Sequence, residues 1–302
     1  MAVSSWDCTV RIYHIPAGPI TATERRVYTH SKAVLACCFF NRSEVASGGL
    51  DNIVKTFNLE VGSECVLGRH EAPVRCIEYC KDQSLLASGG WDSIVKLWDV
   101  RTKTTTGFGN NGGKVYAMDA IANRVIVGTS ERKIVVWDVR NLEQPEQIRD
   151  SPLKFQTRAI KCFPNGDAFV VSSIEGRVAV EYFDQSPEVQ KNKYAFKCHR
   201  EKTESGEEFI YPVNCIAFHP IYSTFVTGGS DALVSIWDPF NRKRICQLHK
   251  FPTTIVSVSF NSSGSQLAIA TSYMDELKER PNPEPESSVV VRKITDVEAR
   301  PK

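Results

Sequence analysis

His70, Ser88 and Asp92, with Trp98 six residues further on, have the side chains that nucleophilic catalysis uses. Such a set can pass a proton from a hydroxyl to an imidazole while the acid holds the ring in one tautomer. Partial copies recur, however, as His30, Ser47, Asp51 and Phe57. A repeated set is expected of scaffolding, because buried polar groups need hydrogen-bond partners. The four residues therefore read as a hydrogen-bonded chain that pins a structural unit. Gly107-Phe108-Gly109-Asn110-Asn111-Gly112 fits a dinucleotide fingerprint, but that chemistry needs a helix after the glycines. Lys114-Val115-Tyr116-Ala117-Met118 follows instead, an alternating strand, and the absence of Ser or Thr after Lys114 excludes a phosphate-binding loop. There is no H-E-x-x-H, no G-x-S-x-G and no C-x-x-C, and Cys198-His199 is not a zinc spacing. Neither an enzyme nor a cofactor is expected.

The 302-residue chain repeats itself. Ala46-Ser47-Gly48-Gly49-Leu50-Asp51 and Ala87-Ser88-Gly89-Gly90-Trp91-Asp92 each precede an alternating strand that ends in an aromatic. The acidic turn residue recurs at Asp7, Asp51, Asp92, Glu131, Glu175, Asp231 and Asp275, with gaps of 44, 41, 39, 44, 56 and 44. Six positions after the first six acids stand Tyr13, Phe57, Trp98, Trp137, Glu181 and Trp237. A period of roughly 40–45 residues is that of a four-stranded propeller blade. The pattern resembles the WD-repeat family along nearly the whole chain. It predicts an all-β, seven-bladed propeller as a single domain over 1–302.

Composition agrees. Net charge is +2, with 42% hydrophobic and 24% charged residues, which argues against a generally basic nucleic-acid binder. The ten cysteines sit mostly in apolar runs, as in Ala36-Cys37-Cys38-Phe39, and read as buried, reduced thiols of an intracellular protein. The longest clear apolar run, Ala33–Phe40, is far short of the roughly 18 residues that span a bilayer. The first residues have no signal-peptide pattern, so the triplets Asn41-Arg42-Ser43 and Asn261-Ser262-Ser263 carry no glycosylation meaning. Gln185–Glu208 reads as a charged insertion, and Met274–Ser287 as an acidic, Pro-rich surface loop. Only six residues precede Asp7, so the innermost strand of blade 1 is expected to be missing. The closing outer strand of blade 7 is expected to be missing as well. The chain thus reads as N-terminally shortened, and less stable than a version with about 25–30 added residues, because missing ladders expose sheet edges.

Function is sought where the repeat breaks its own rule. In the fifth block Glu175 replaces the turn Asp, Arg177 falls where Ile53, Ile94 and Leu233 sit, and Glu181 takes the aromatic slot. Either Arg177 and Glu181 compensate each other as an ion pair, or Arg177 reads a ligand. Trp6 and Trp91 lie at equivalent turns, as packing residues or as a peptide-binding hot spot with Arg177 on one face. Lys193, Lys197 and Arg200 cluster with Tyr194 and Phe196. That run is a solvated face, a phosphate-recognising patch or a single-strand nucleic-acid site.

The runs Ser173-Ile174-Glu175-Gly176-Arg177-Val178-Ala179-Val180-Glu181-Tyr182, Tyr194-Ala195-Phe196-Lys197-Cys198-His199-Arg200 and Tyr211-Pro212-Val213-Asn214 resemble a particular WD-repeat group. So do Trp237-Asp238-Pro239-Phe240 and the Pro301-Lys302 end. This is the mitotic spindle checkpoint propeller of the budding-uninhibited-by-benzimidazole group, with the nuclear-pore mRNA export propeller as a near relative. The resemblance implies a non-enzymatic adaptor, monomeric within hetero-complexes, that localises checkpoint proteins at kinetochores. It implies that Trp6, Trp91, Glu175 and Arg177 hold a short Glu-containing motif of checkpoint kinases. It assigns Lys197 and Arg200 to phosphothreonine of a phosphorylated kinetochore scaffold. It further implies nuclear, kinetochore and cytoplasmic locations, no membrane and no direct nucleic acid. The export reading, with a nucleoporin motif and RNA as partners, is the alternative.

Overall fold

Leu85–Gly90 and Ile94–Asp99 alternate side chains across the sheet, and the turn at Trp91-Asp92-Ser93 folds them into an antiparallel pair. Asp92 supports the turn by accepting the Ile94 N–H at 3.1 Å. Val74–Cys80 and Thr104–Asn110 flank the pair and complete a four-stranded sheet. The computed structural model describes residues 1–16, 21–274, 283 and 285–302, and sheets of this kind recur through them. Among the described residues five sheets of four strands and two of three, each a blade, give the all-β, seven-bladed propeller class.

Two compact units divide the chain, Met1–Ser151 and Pro152–Lys302. The first holds sheet 1 (Ala2–Ser4, Thr9–His14, Thr23–Thr29) and sheet 2 (Val34–Phe39, Glu44–Gly49, Ile53–Asn58, Ser63–Arg69). Sheet 3 is the one above, and sheet 4 comprises Val115–Ile121, Arg124–Thr129, Lys133–Asp138 and Gln147–Asp150. The second unit holds sheet 5 (Thr157–Cys162, Ala168–Ser173, Arg177–Tyr182, Tyr194–Lys197) and sheet 6 (Val213–Phe218, Phe225–Gly229, Val234–Asp238, Lys243–Gln247). It also holds sheet 7 (Ile255–Phe260, Gln266–Thr271, Ser288–Lys293). Among the described residues the first sheet has no strand before its turn-forming pair and the last has no fourth strand.

Cores form between neighbouring sheets of one unit. Trp98 of sheet 3 packs among Leu67, Val74 and Leu86, and Phe225 of sheet 6 among Val178, Val180 and Phe196 of sheet 5. Fully burying one such side chain is worth about 1.5–3 kcal/mol. Each first strand from sheet 2 to sheet 7 carries a bulge at the same place, such as Val74/Cys76 and Thr157/Ala159. The extra residue, Arg75 or Arg158 in these two, is half-buried at the end of the sheet that bears the acidic turn.

One expectation is corrected by the structure. Gln185–Glu208 is not one insertion: Tyr194–Lys197 is the regular fourth strand of sheet 5, with Phe196 packed against Trp237. Its charged neighbours hide the alternation. The true additions are a four-residue helix, Pro187–Gln190, and a two-stranded ribbon, Arg200–Lys202 with Glu208–Ile210. Most of 274–287, with Asp275, lies outside the described residues. The ten cysteines form no disulfide. Burial pushes the Cys37 thiol up to about 11 and those of Cys80 and Cys215 up to about 12, away from nucleophilic thiolates.

Candidate functional site

The structure brings His70, Ser88, Asp92 and Trp98 together. His70 Nδ1 lies 2.9 Å from the Asp92 carboxylate and Nε2 lies 2.8 Å from Ser88 Oγ. Trp98 Nε1 donates to the same hydroxyl at 2.8 Å. Ser88 and His70 are buried, so the hydroxyl that a hydrolase would need is out of a substrate's reach. Burial lowers the His70 pKa below its ordinary value against the pull of Asp92, which favours the neutral ring. Gly90 belongs to this arrangement, because a Cβ there would come within 2.6 Å of His70 Nδ1.

Other sheets vary the theme. In sheet 2, His30 contacts Asp51 and Ser47, and Tyr28 donates its hydroxyl to Ser47 at 2.8 Å while stacking on Phe57 at 4.6 Å. Tyr28 thus does the work of the tryptophan N–H. A third full set, His199 with Asp231, Thr227 and Trp237, escapes the sequence reading. The ribbon inserted after His199 stretches its distance to the acid from 22 residues to 32.

Sheet 5 has none of this. Val171, Ser172 and Ser173 replace Ser-Gly-Gly, and Glu175 occupies the turn. Arg177 opens the third strand opposite Ser173 on one side and Lys197 on the other. Its Nε lies 3.5 Å from Glu175 Oε1, close enough to pair charges, yet it is sealed from water without a hydrogen-bond partner. The two side chains remain 34% and 22% exposed. The ion partner of Arg177 is therefore Glu175; Glu181 lies four residues along the strand, and its side chain is buried. Thr157, in register with Ser173 and Arg177, carries a second buried polar group without a partner, its hydroxyl. The repeat gave no signal for Thr157, since it stands in a regular first strand.

In the first unit, Trp6 and Trp91 occupy the matching turns of sheets 1 and 3. Trp6 is 77% exposed. Trp91 is half-buried, its backbone N–H donating to Pro73 O at 2.9 Å, and its indole N–H is sealed without an acceptor. Each tryptophan stands one residue before the turn acid, and Glu175 and Arg177 stand at the corresponding end of their own sheet.

Lys197 and Arg200 do not form a pair of available cations. Lys197 is exposed on the fourth strand of sheet 5. Arg200 instead donates to Glu175 O at 2.7 Å and Gly176 O at 3.3 Å, and pairs with Glu208 at 3.0 Å. Lys197 shares a cleft of about 220 Å³ with Tyr194, Phe196, Trp237, Asp238, Arg242 and Lys243. The guanidinium of Arg242 lies 4.7 Å over the Tyr194 ring. Arg242 and Lys243 were missed because they stand more than forty residues from Lys197 in the chain. Among the described residues no group of three or more acids, histidines or cysteines could hold a metal, and no helix is long and apolar enough to cross a membrane.

Comparison with known proteins matches the family model described as WD domain, G-beta repeat, at residues 63–99 and 196–238. The mitotic checkpoint protein bub-3 of Caenorhabditis elegans is 55% identical over 306 residues, covering 100% of this chain and 89% of that protein. Mitotic checkpoint protein BUB3.1 of Arabidopsis thaliana is 44% identical, covering 100% and 88%. The Poly(A)+ RNA export protein of Schizosaccharomyces pombe is 36% identical, covering 90% and 78%. Among solved structures, that of U3-55K superposes with a TM-score of 0.81 at 17% identity, covering 97% of this chain and 91% of that one, a likeness of fold alone.

Proposed function

This chain belongs to the Bub3 family of mitotic checkpoint WD-repeat proteins, and from that premise we propose that it is a non-enzymatic adaptor of the spindle assembly checkpoint. It binds a short Glu-containing motif of checkpoint kinases and so localises them at kinetochores in mitosis. The identity to checkpoint relatives over the full chain supports the process. The binding mode rests on the turn of sheet 5, where a half-exposed Glu175–Arg177 pair replaces a sealed network. A guanidinium whose side chain is one-third exposed beside Glu175 has donors at its outer end to offer an incoming carboxylate. In the first unit, Trp6 and Trp91 each offer flat apolar area to a bound segment at little entropic cost.

For a phosphothreonine partner, the side chain on offer at the predicted position is Lys197, with Arg242 and Lys243 in the same cleft. Three cations among three aromatic side chains suit a group carrying about −1.5 to −2 charges. Arg200 contributes only if its bonds to the turn of sheet 5 break.

Pull-down of the kinase segment by purified wild-type chain and by Arg177→Glu tests the reading. Loss of capture in the variant supports it, and retained capture refutes it. Imaging separates the export alternative: kinetochore foci in mitosis fit the adaptor, and nuclear-rim staining in interphase fits the export propeller. The higher identities to checkpoint relatives, 55% and 44% against 36%, favour the former.

A further inference from the structure

We propose that Arg200, with the ribbon it opens, is a clasp that sets the position of Glu175 and Arg177, so that Arg200 is a positioning residue for recognition of the partner's carboxylate. The inference deepens the Glu-motif site proposed above and rests on it. Three observations carry it.

The first is where the guanidinium spends its donors. Arg200 is only 10% exposed at its side chain. It reaches back across the turn to Glu175 O at 2.7 Å and Gly176 O at 3.3 Å, while its other arm holds Glu208 on the opposite ribbon strand at 3.0 Å. A planar fork can span these acceptors at once, which a lysine's point charge cannot. The turn before Arg177 is thereby tied to both strands of the ribbon.

The second is what anchors the clasp. His199, the neighbour of Arg200, is locked by Asp231 and Thr227 at 2.8 Å each. Cys198 N–H donates to Gly176 O at 3.0 Å, and Tyr211 N–H donates to His199 O at 3.0 Å. The backbone on both sides of the ribbon is therefore fixed to sheets 5 and 6, and Arg200 projects from a rigid base.

The third is the glycine. The matching position in five other turns has a positive φ without being glycine: Cys8, Asn52, Ser93, Arg132 and Ala232. Gly176 shares that backbone at φ 58°, yet a Cβ there would lie 2.8 Å from Cys198 O and 3.1 Å from both Ile210 Cγ2 and Tyr211 O. Space taken by the clasp, and not φ alone, demands glycine at this turn. The clasp thus does from outside what the histidine network does from inside elsewhere, and it leaves the carboxylate of Glu175 and the head of Arg177 facing a partner.

Amide hydrogen exchange on the full chain tests the clasp without any ligand. In Arg200→Ala, exchange at the Cys198 amide should rise about tenfold or more, as expected for a local opening. Arg200→Lys, which keeps the charge and removes the fork, should give an intermediate rise and covers the case in which the alanine variant does not fold. Unchanged exchange in the variants overturns the proposal. The recognition role is read with a synthetic peptide of the kinase's Glu-containing segment and its Glu→Gln counterpart. The clasp predicts that the Glu-over-Gln affinity ratio falls about fivefold in Arg200→Ala, with Arg200→Lys between it and wild type. A merely structural arginine would lower both affinities alike, and an unchanged ratio overturns the positioning role. A wild-type chain that binds neither peptide refutes the Glu-motif reading, and the exchange rates still decide the clasp.

Discussion

Sheets 3 and 5 fold the same turn by opposite means. In sheet 3 the acid is swallowed: Asp92 bonds His70 and the Ile94 and Glu71 N–H groups, and through His70 and then Ser88 it is linked to the indole of Trp98. Nothing of that network is offered to a partner, and its value is rigidity, since a buried polar chain is stable only when every member is satisfied. In sheet 5 no histidine faces the turn, Glu175 stays at the surface with Arg177, and Arg200 holds the backbone carbonyls from outside. A repeat protein can therefore free one turn for recognition without losing its shape, provided that another group takes over the backbone. The glycines record the exchange. Gly90 makes room for the internal network, Ser173 replaces it where the network is gone, and Gly176 makes room for the external clasp.

The contrast breaks first under a core substitution. Trp98→Ala should cost about 3–5 kcal/mol in urea unfolding, because it opens a large cavity and strips Ser88 of a donor. Arg177→Glu loses one partly exposed ion pair and sets two carboxylates together, so it should cost about 1 kcal/mol, well short of Trp98→Ala, while removing capture of the kinase segment. A comparable stability loss in both variants would mean that sheet 5 is as structural as sheet 3. A sharper test moves one residue type between the turns. Gly176→Asn should cost about 1–3 kcal/mol by overpacking against Cys198 and Tyr211, and Ser93→Asn within about 0.5 kcal/mol, since Asn52 already holds that backbone in sheet 2. Equal effects by thermal melting would remove the steric argument for the clasp.

The smallest effect is that of pH. Burial lowers His30 and His70 below the ordinary value of 6.5. Below that pH the unfolded chain takes up protons that the folded networks refuse, so stability is full above 6.5 and falls as the solution is acidified toward the folded values. Melting temperature measured from pH 7.5 to pH 5.5 should decline. Replacing either histidine should flatten the decline, whereas Arg177→Glu should leave its slope alone.

Much of this was written in residue order. Turn acids and terminal aromatics at a blade-length period follow from local chemistry, because each turn needs an acceptor within two residues and each strand a large apolar end. The same regularity exposed Glu175 and Arg177 as departures. Tyr28 was not legible, since a tyrosine hydroxyl can replace an indole N–H only when the fold stacks its ring on Phe57. The His199 set was hidden by the ribbon that separates it from Asp231. Tyr194–Lys197 looked like part of a charged insertion until its pairing with Val180–Arg177 made it a strand.

What residue order determined by itself is the all-β repeat, its count and the turn that departs from it, because those depend on neighbours a few positions away. What tertiary structure alone decided is how each cation is used. Arg200 reads as a surface charge in sequence, and only the approach of a ribbon to a turn makes it bind two carbonyls and Glu208. Lys197, Arg242 and Lys243 converge because neighbouring sheets bring distant strands side by side. A charge finds its partner through space, and chain spacing encodes that distance only where the connection between them is short and regular.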